Sequence, residues 1–166
     1  MKYADCPTVE VETRIAVRPD QVWPWVADIT TPCRFSSELK GAEWVDTSVA
    51  PEVGSRFVGF NWHRAMGDWE TTSVVVEYEE SKVFAWAVGD VENPSASWRF
   101  ELVPDGDGTL LRQWARMGPA PSGLTFAIQA RPDKEERIVA RRLNEFEANM
   151  RTTVEGIKAL AEGLPD

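Results

Sequence analysis

Val139-Ala-Arg-Arg-Leu143-Asn-Glu-Phe146-Glu-Ala-Asn-Met150-Arg-Thr-Thr-Val154-Glu-Gly-Ile157-Lys-Ala-Leu-Ala161 places its apolar residues at intervals of 4, 3, 4, 4, 3 and 4. The 22 steps from Val139 to Ala161 cover six turns, close to the helical repeat of ~3.6. This is one long amphipathic helix. Pro132 suits its first position, Asp133, Glu135 and Glu136 complement the positive end of its dipole, and Gly163 with Pro165 ends it, so the helix is expected over residues 131–162. That span carries seven basic and seven acidic residues, which leaves 11 basic against 20 acidic, the whole net charge of −9, to the rest of the chain. Its polar face is most simply a solvated surface with i,i+4 pairs such as Glu147/Arg151.

Upstream of this helix the period changes to two. Thr8 to Val17 alternates, with Val9, Val11, Ile15 and Val17 on one face and Glu10, Glu12 and Arg14 on the other, which is a half-buried strand. Pro19 and Asp20 then open a helical stretch in which Val22, Val26 and Ile29 share a face, and Pro24 removes a hydrogen bond from its interior. A short or kinked helix is expected, followed by another short turn within 31–38. Six further strands are read at Leu39 to Asp46, Ser55 to His63, Trp69 to Tyr78, Val83 to Val88, Ser97 to Val103 and Thr109 to Met117, separated by Gly, Pro, Asn and Asp. Pro104-Asp-Gly-Asp-Gly108 is the strongest hairpin signal in the chain. Its aspartates lack the distal ligands of a calcium loop. Gly118 to Gly123 interrupts the pattern before the helix.

Composition removes several functions. A chain of 166 residues with 43% hydrophobic residues and eight Trp is expected to form one domain with a sizeable core. The longest uninterrupted apolar stretch, Val83 to Val88, falls far short of the ~18 residues of a membrane span, and the first residues lack the apolar centre of a signal peptide. A cytoplasmic protein is expected. Cys6, Cys33 and the single histidine, His63, have no metal-ligand spacing. The acidic balance without a basic run disfavours nucleic acid. An apolar small molecule remains compatible.

The order strand, short helices, six strands, long helix points to an α+β helix-grip fold. A curved antiparallel seven-stranded sheet needs its concave face covered, and only the C-terminal helix is long enough to do so. The gap left at one end becomes a cavity lined by inward side chains. Alternation turns Phe84, Trp86 and Val88 inward, likewise Trp98, Phe100 and Leu102, and puts Gln113 inside as a lone polar group between Leu111 and Ala115. In Arg56 to His63 alternation alone does not choose between Phe57, Gly59, Asn61, His63 and the opposite set.

Asp28-Ile29-Thr-Thr-Pro32 running to Phe35-Ser36, Gly41-Ala-Glu-Trp44, Val53-Gly-Ser-Arg-Phe57 with Gly59 and Asn61, Trp69-Glu-Thr71-Thr-Ser73-Val-Val75, Val83-Phe84-Ala85-Trp86, Trp98-Arg-Phe100-Glu-Leu102 and Gly108-Thr109 resemble the polyketide cyclase/dehydrase and lipid-transport members of the START-like (SRPBCC) superfamily. The likeness is to small stand-alone members of actinobacterial type and covers roughly residues 8 to 162. It implies a deep hydrophobic cavity that binds a lipid or polyketide-like molecule, usually without metal or cofactor, and in some members catalyses cyclisation, aromatisation or dehydration. The resemblance selects the Phe57 set as inward.

The residues expected to meet such a ligand are Phe35, Phe57, Gly59, Asn61, Trp69, Thr71, Ser73, Trp86, Trp98, Gln113, Leu143, Phe146 and Met150. Gly59 either leaves space for a ligand or bends its strand. Asn61, Thr71, Ser73 and Gln113 either orient a ligand's carbonyl or hydroxyl or bond to backbone and water. Acid/base chemistry needs a proton acceptor and an oxyanion donor; His63, with Arg64, Asp68 and Glu70 close in sequence, is the one histidine available, and no catalytic residue can be named. No nucleophile motif, phosphate loop or dinucleotide fingerprint occurs. Three classes follow: a carrier of a hydrophobic molecule, a cofactor-free cyclase, aromatase or dehydratase, and a protein-docking module.

Overall fold

The computed structural model describes residues 1–163. After a 3-10 turn at Tyr3–Asp5 come β1 (Thr8–Ile15), α1 (Pro19–Ala27), a second 3-10 turn (Thr31–Arg34), β2 (Leu39–Trp44), β3 (Arg56–His63), β4 (Gly67–Glu79), β5 (Val83–Gly89), β6 (Pro94–Asp105) and β7 (Gly108–Met117). Then follow α2 (Gly123–Ala130), a third 3-10 turn (Pro132–Lys134) and α3 (Glu135–Ala161). The strands form one antiparallel sheet in the order β1-β7-β6-β5-β4-β3-β2. This is the helix-grip arrangement. Among the described residues no helix is long and apolar enough to cross a membrane.

The expected elements are present with small shifts at their ends. α1 is short, with Pro24 inside it and Val22, Trp23 and Val26 buried. The β6–β7 hairpin pairs Asp105 with Gly108, and Gly106 takes the positive φ of 62° that its two-residue turn requires. The long helix begins three residues later than expected, because Pro132 opens a 3-10 turn rather than the helix itself. Glu162 caps it and Gly163 has a left-handed φ of 69°. Pro165, expected to help end it, lies outside the described residues. Glu147 and Arg151 form the expected pair at 3.7 Å.

α2 is the element that sequence reading does not anticipate. It has eight residues and fully buries none of them; at little more than two turns it is too short for a periodic apolar stripe to register. Its start is nevertheless written locally. The Ser122 hydroxyl accepts from the Leu124 N–H at 3.3 Å, and the Ser122 N–H donates to Thr125 Oγ1 at 2.9 Å, a reciprocal cap. Tyr3 ties down the approach to it by donating its hydroxyl to the Ala120 carbonyl at 2.6 Å.

Three register shifts curve the sheet. One lies between Val75 and Glu77 of β4, so that Val75 and Tyr78 both turn inward, and Tyr78 meets Trp23 and Phe84 edge-on at 5.4 Å each. The others lie between Leu39 and Gly41 of β2 and between Val88 and Gly89 of β5. On the convex face Arg99 reaches across Ala85 to Glu77 at 3.2 Å, and Arg112 joins Glu12 at 3.0 Å. That is why Ala85 is buried on an outer face.

α3 lies along β1 and β7 and packs on α1. Its C-terminal half is solid core, with Val154 and Ile157 fully buried among Val11, Ile15, Val22 and Leu111. Gly156 permits the close approach of the chain after α1. A Cβ there meets the Phe35 ring at 2.4 Å. Phe35 is therefore packed against α3 and does not line the cavity described below, contrary to the sequence expectation. Gly156→Ala gains less than ~1 kcal/mol of helix propensity but forces overpacking worth about 1–3 kcal/mol. The expected net result, read from urea denaturation, is a loss of about 1 kcal/mol that Phe35→Leu in the same chain relieves.

Candidate functional site

Under the N-terminal half of α3 the sheet and helix do not close. The cavity between them has a volume of about 960 Å³. β3 contributes Phe57, Gly59, Asn61 and His63 to its wall, β4 Trp69, Thr71 and Ser73, β5 Phe84, Trp86 and Val88, and β6 Trp98 and Phe100. β7 contributes Gln113, and α3 Phe146 and Met150. Alternation explains the pattern, since each strand sends every second residue inward. The Phe57 set is the inward one on β3, as the resemblance implies.

Eleven of the thirteen residues expected at a ligand thus line this one cavity. The other two do not. Phe35 packs on Gly156 as described, and Leu143 turns beneath α2 to join Tyr3, Met117 and Val139 in a separate small cluster with Leu124 and Ile128. The causes differ: Phe35 is taken up by α3 at Gly156, and Leu143 by the cluster beneath α2, an element that sequence periodicity does not locate. Gly59 is not a gap left for a ligand. A Cβ at Gly59 meets Thr71 Oγ1 at 3.0 Å and Leu39 Cδ1 at 3.3 Å, so its missing side chain admits neighbours from the adjacent strands.

The rings form a continuous wall from β2 to α3. Trp44 meets Phe57 edge-on at 5.4 Å, Phe57 meets Trp86 at 5.7 Å, Trp86 stacks on Trp98 at 6.5 Å, and Trp98 meets Phe146 at 5.0 Å. Such offset and edge contacts hold rings in place as well as burying them. Polar groups interrupt this wall at Asn61, Thr71, Ser73, Gln113 and Thr153. Thr153 donates to the Asn149 carbonyl at 2.8 Å, and Asn61 Nδ2 reaches the Gly59 carbonyl at 3.4 Å and Thr71 Oγ1 at 3.5 Å. Gln113 differs. It is 5% exposed, and its Oε1 is buried without a hydrogen-bond partner among the described residues. An unsatisfied buried acceptor costs ~1–3 kcal/mol.

Charge collects at the rim. Arg142 donates to both oxygens of Glu38 and, from Nη1, to Glu145 Oε2 at 2.8 Å. Its guanidinium also lies 4.9 Å from the centre of the Phe146 ring. His63 completes the network. The Ala65 N–H donates to His63 Nδ1 at 3.0 Å, so Nε2 carries the ring proton toward Glu145 Oε2 at 3.1 Å. Burial acts to raise the Glu145 carboxyl, but the hydrogen bonds and charge of Arg142, with the hydrogen bond of His63, outweigh it and hold the group below the ordinary carboxylate range. Burial likewise works against the Arg142 cation, and its two carboxylate partners more than offset it.

Sequence proximity suggests Arg64, Asp68 and Glu70 as companions of His63. The partner is instead Glu145, across the fold on α3. Glu38, Arg142 and Glu145 are absent from the expected site because the polar face of α3 reads as solvated surface. A signal was present: Arg142, Glu145 and Asn149 sit three and four residues apart on the flank of the apolar stripe, where a helix residue meets the edge of whatever the stripe covers. Ser37 confirms that flank as a contact, since its N–H donates to Asn149 Oδ1 at 3.0 Å. α2 and the β3–β4 turn meet over the same rim, where a Cβ on Gly123 comes within 2.9 Å of Met66 Sδ. Phe126 of α2 also borders the cavity while remaining 76% exposed.

The sequence model of the polyketide cyclase / dehydrase and lipid transport family matches residues 7–162. No curated protein matches the chain. Among solved structures, a polyketide-cyclase-like protein of Corynebacterium glutamicum is 29% identical with a TM-score of 0.65, over 93% of this chain and 91% of that one. The Zhui aromatase/cyclase of Streptomyces sp. R1128 is 15% identical with a TM-score of 0.70, over 94% and 93%. The di-domain aromatase/cyclase BexL is 14% identical with a TM-score of 0.69, over 96% of this chain and 51% of that one. At these lower identities the likeness is one of fold.

Proposed function

The chain belongs to the polyketide cyclase / dehydrase and lipid transport family, and from that premise we propose that it binds or carries a hydrophobic small molecule, lipid or polyketide-like, between the sheet and α3. The observation that carries this reading is the ring-walled cavity of about 960 Å³ beside a solid core built from the same helix stripe. The cavity opens at its rim and has room for several waters or one guest. The space is therefore filled in solution, and walls of Trp and Phe offer water few partners. An apolar guest is the better occupant.

Native mass spectrometry of protein purified without detergent, with titration of 1-anilinonaphthalene-8-sulfonate followed by tryptophan fluorescence, tests this. The expected result is a stoichiometric small-molecule adduct, or saturable 1:1 quenching through Trp69, Trp86 and Trp98. No adduct together with no saturable probe binding rejects the proposal.

A second reading, cofactor-free cyclisation or dehydration, draws on the hydrogen-bonded His63 and Glu145 in the cavity wall. Glu145 accepts from His63 Nε2 and so orients the imidazole in the cavity wall, the side-chain type most often used for proton transfer. Turnover of a poly-β-ketone substrate that Glu145→Gln abolishes while probe binding survives favours the enzyme over the carrier.

A further inference from the structure

Gln113 occupies the middle of β7, between Val11 on β1 and Phe100 on β6. Its inward neighbours on the same strand, Leu111 and Ala115, are both fully buried. A strand of this kind has no structural use for an amide on its core face. Nothing in the surrounding wall answers it: Oε1 has no partner, while the hydroxyl of Thr153 is committed to the helix backbone and Asn61 to β3 and β4. The group lies within the cavity wall and is nine-tenths buried. It is unlike the rim, where Arg142 is already paired with Glu38 and Glu145.

A carboxamide offers an acceptor oxygen and donor hydrogens side by side. An ether or an ester carbonyl leaves the oxygen unanswered. A hydroxyl both gives a proton to the oxygen and accepts one from the nitrogen. Hydrocarbon answers neither. We infer that Gln113 is a specificity-determining residue that receives a hydroxyl on the buried end of the guest, so that the cavity selects hydroxylated apolar molecules over their methylated or unsubstituted counterparts. This rests on the binding reading above and adds to it the chemistry and the direction of entry: the hydroxyl leads, and the remainder of the guest lies along the Trp86, Trp98 and Phe146 rings.

The test uses two probes of nearly equal size, 2-naphthol and 2-methoxynaphthalene, titrated by calorimetry into the wild type, Gln113→Leu and Gln113→Met. The wild type is expected to prefer 2-naphthol by about tenfold, or ~1.4 kcal/mol. Both variants are expected to fold, since each replaces an unpartnered amide by an apolar side chain of similar volume, and their thermal melts report this directly. Both variants lose the preference by binding 2-naphthol more weakly, while 2-methoxynaphthalene binds as well as or better than before. Equal wild-type affinity for the two probes, or a preference that survives in both variants, overturns the assignment to Gln113 and leaves the binding reading standing. Failure of both probes to bind the wild type overturns this inference and the binding reading together.

Discussion

Replacement of Arg142 by alanine will destabilise the protein by about 3 kcal/mol, because removing one member of a largely buried ion cluster strands its partners. Glu38 then loses its cation, and Glu145 keeps only the exposed Arg141, at 3.8 Å, and His63. At 14% and 29% side-chain exposure neither recovers full hydration. The stacking of the guanidinium on Phe146 is lost as well. For a chain of this size the change corresponds to a drop of roughly 6–12 °C in Tm, measurable by circular dichroism. Arg142→Lys retains the charge but not the fork that reaches both carboxylates, and is expected to fall between. A Tm within 2 °C or so of wild type for Arg142→Ala would show that the cluster contributes nothing to closure of the rim.

The same cluster sets an acid limit. Glu145 is held below its ordinary value in the folded protein, so its contribution to stability is fully present above the unfolded carboxylate value of ~4.3 and is lost as the pH falls through the lowered folded value. Denaturation of the wild type is therefore expected to become easier with acid in that window. Arg142→Ala, which removes the largest favourable partner of Glu145, is expected to show a flatter dependence there.

Replacement of Phe84 by alanine is expected to cost about 3–5 kcal/mol, the range for deletion of a large buried ring. Phe84 is 1% exposed and stands at the junction of Trp44, Tyr78 and Trp86, with ring centres at 6.5, 5.4 and 5.1 Å. Its loss enlarges the cavity toward α1 and removes the lateral support of Trp86. Two readouts separate these effects: chemical denaturation gives the stability, and probe affinity measured where the variant is still folded gives the effect on the site. A loss below about 1 kcal/mol would mean that the neighbouring rings collapse into the space.

The candidate site was legible where strands build it. Trp86 and Trp98 could be turned inward from their own strands, and Gln113 marked as a lone polar group, because alternation along β5, β6 and β7 continues unbroken through the segments that matter. Tyr78 shows where that logic ends. Counted in twos from Ser73 and Val75 it points outward, yet the bulge at Val76 brings it inside against Phe84. His63 shows the other boundary. Its chain neighbours Asp68 and Glu70 are near in sequence, but its partner Glu145 is 82 residues away.

Phe35 and Leu143 carry the same lesson with a steric cause. Both are apolar residues on the flank of the stripe or of a connecting turn, and each is claimed by a nearby element rather than by the cavity, Phe35 by Gly156 and Leu143 by the cluster under α2. Element type and inward face are properties of local backbone geometry, repeating every two residues in a strand and every 3.6 or so in a helix, so the sequence by itself determined the seven strands, the long helix and the aromatic character of the concave face. Where along α3 the solid core stops and the cavity begins, and which charges meet at its rim, depend on sheet curvature, on its three register shifts and on the seating of α3 over β1 and β7. These join residues far apart in the chain, and no local period records them; only the tertiary structure decides them.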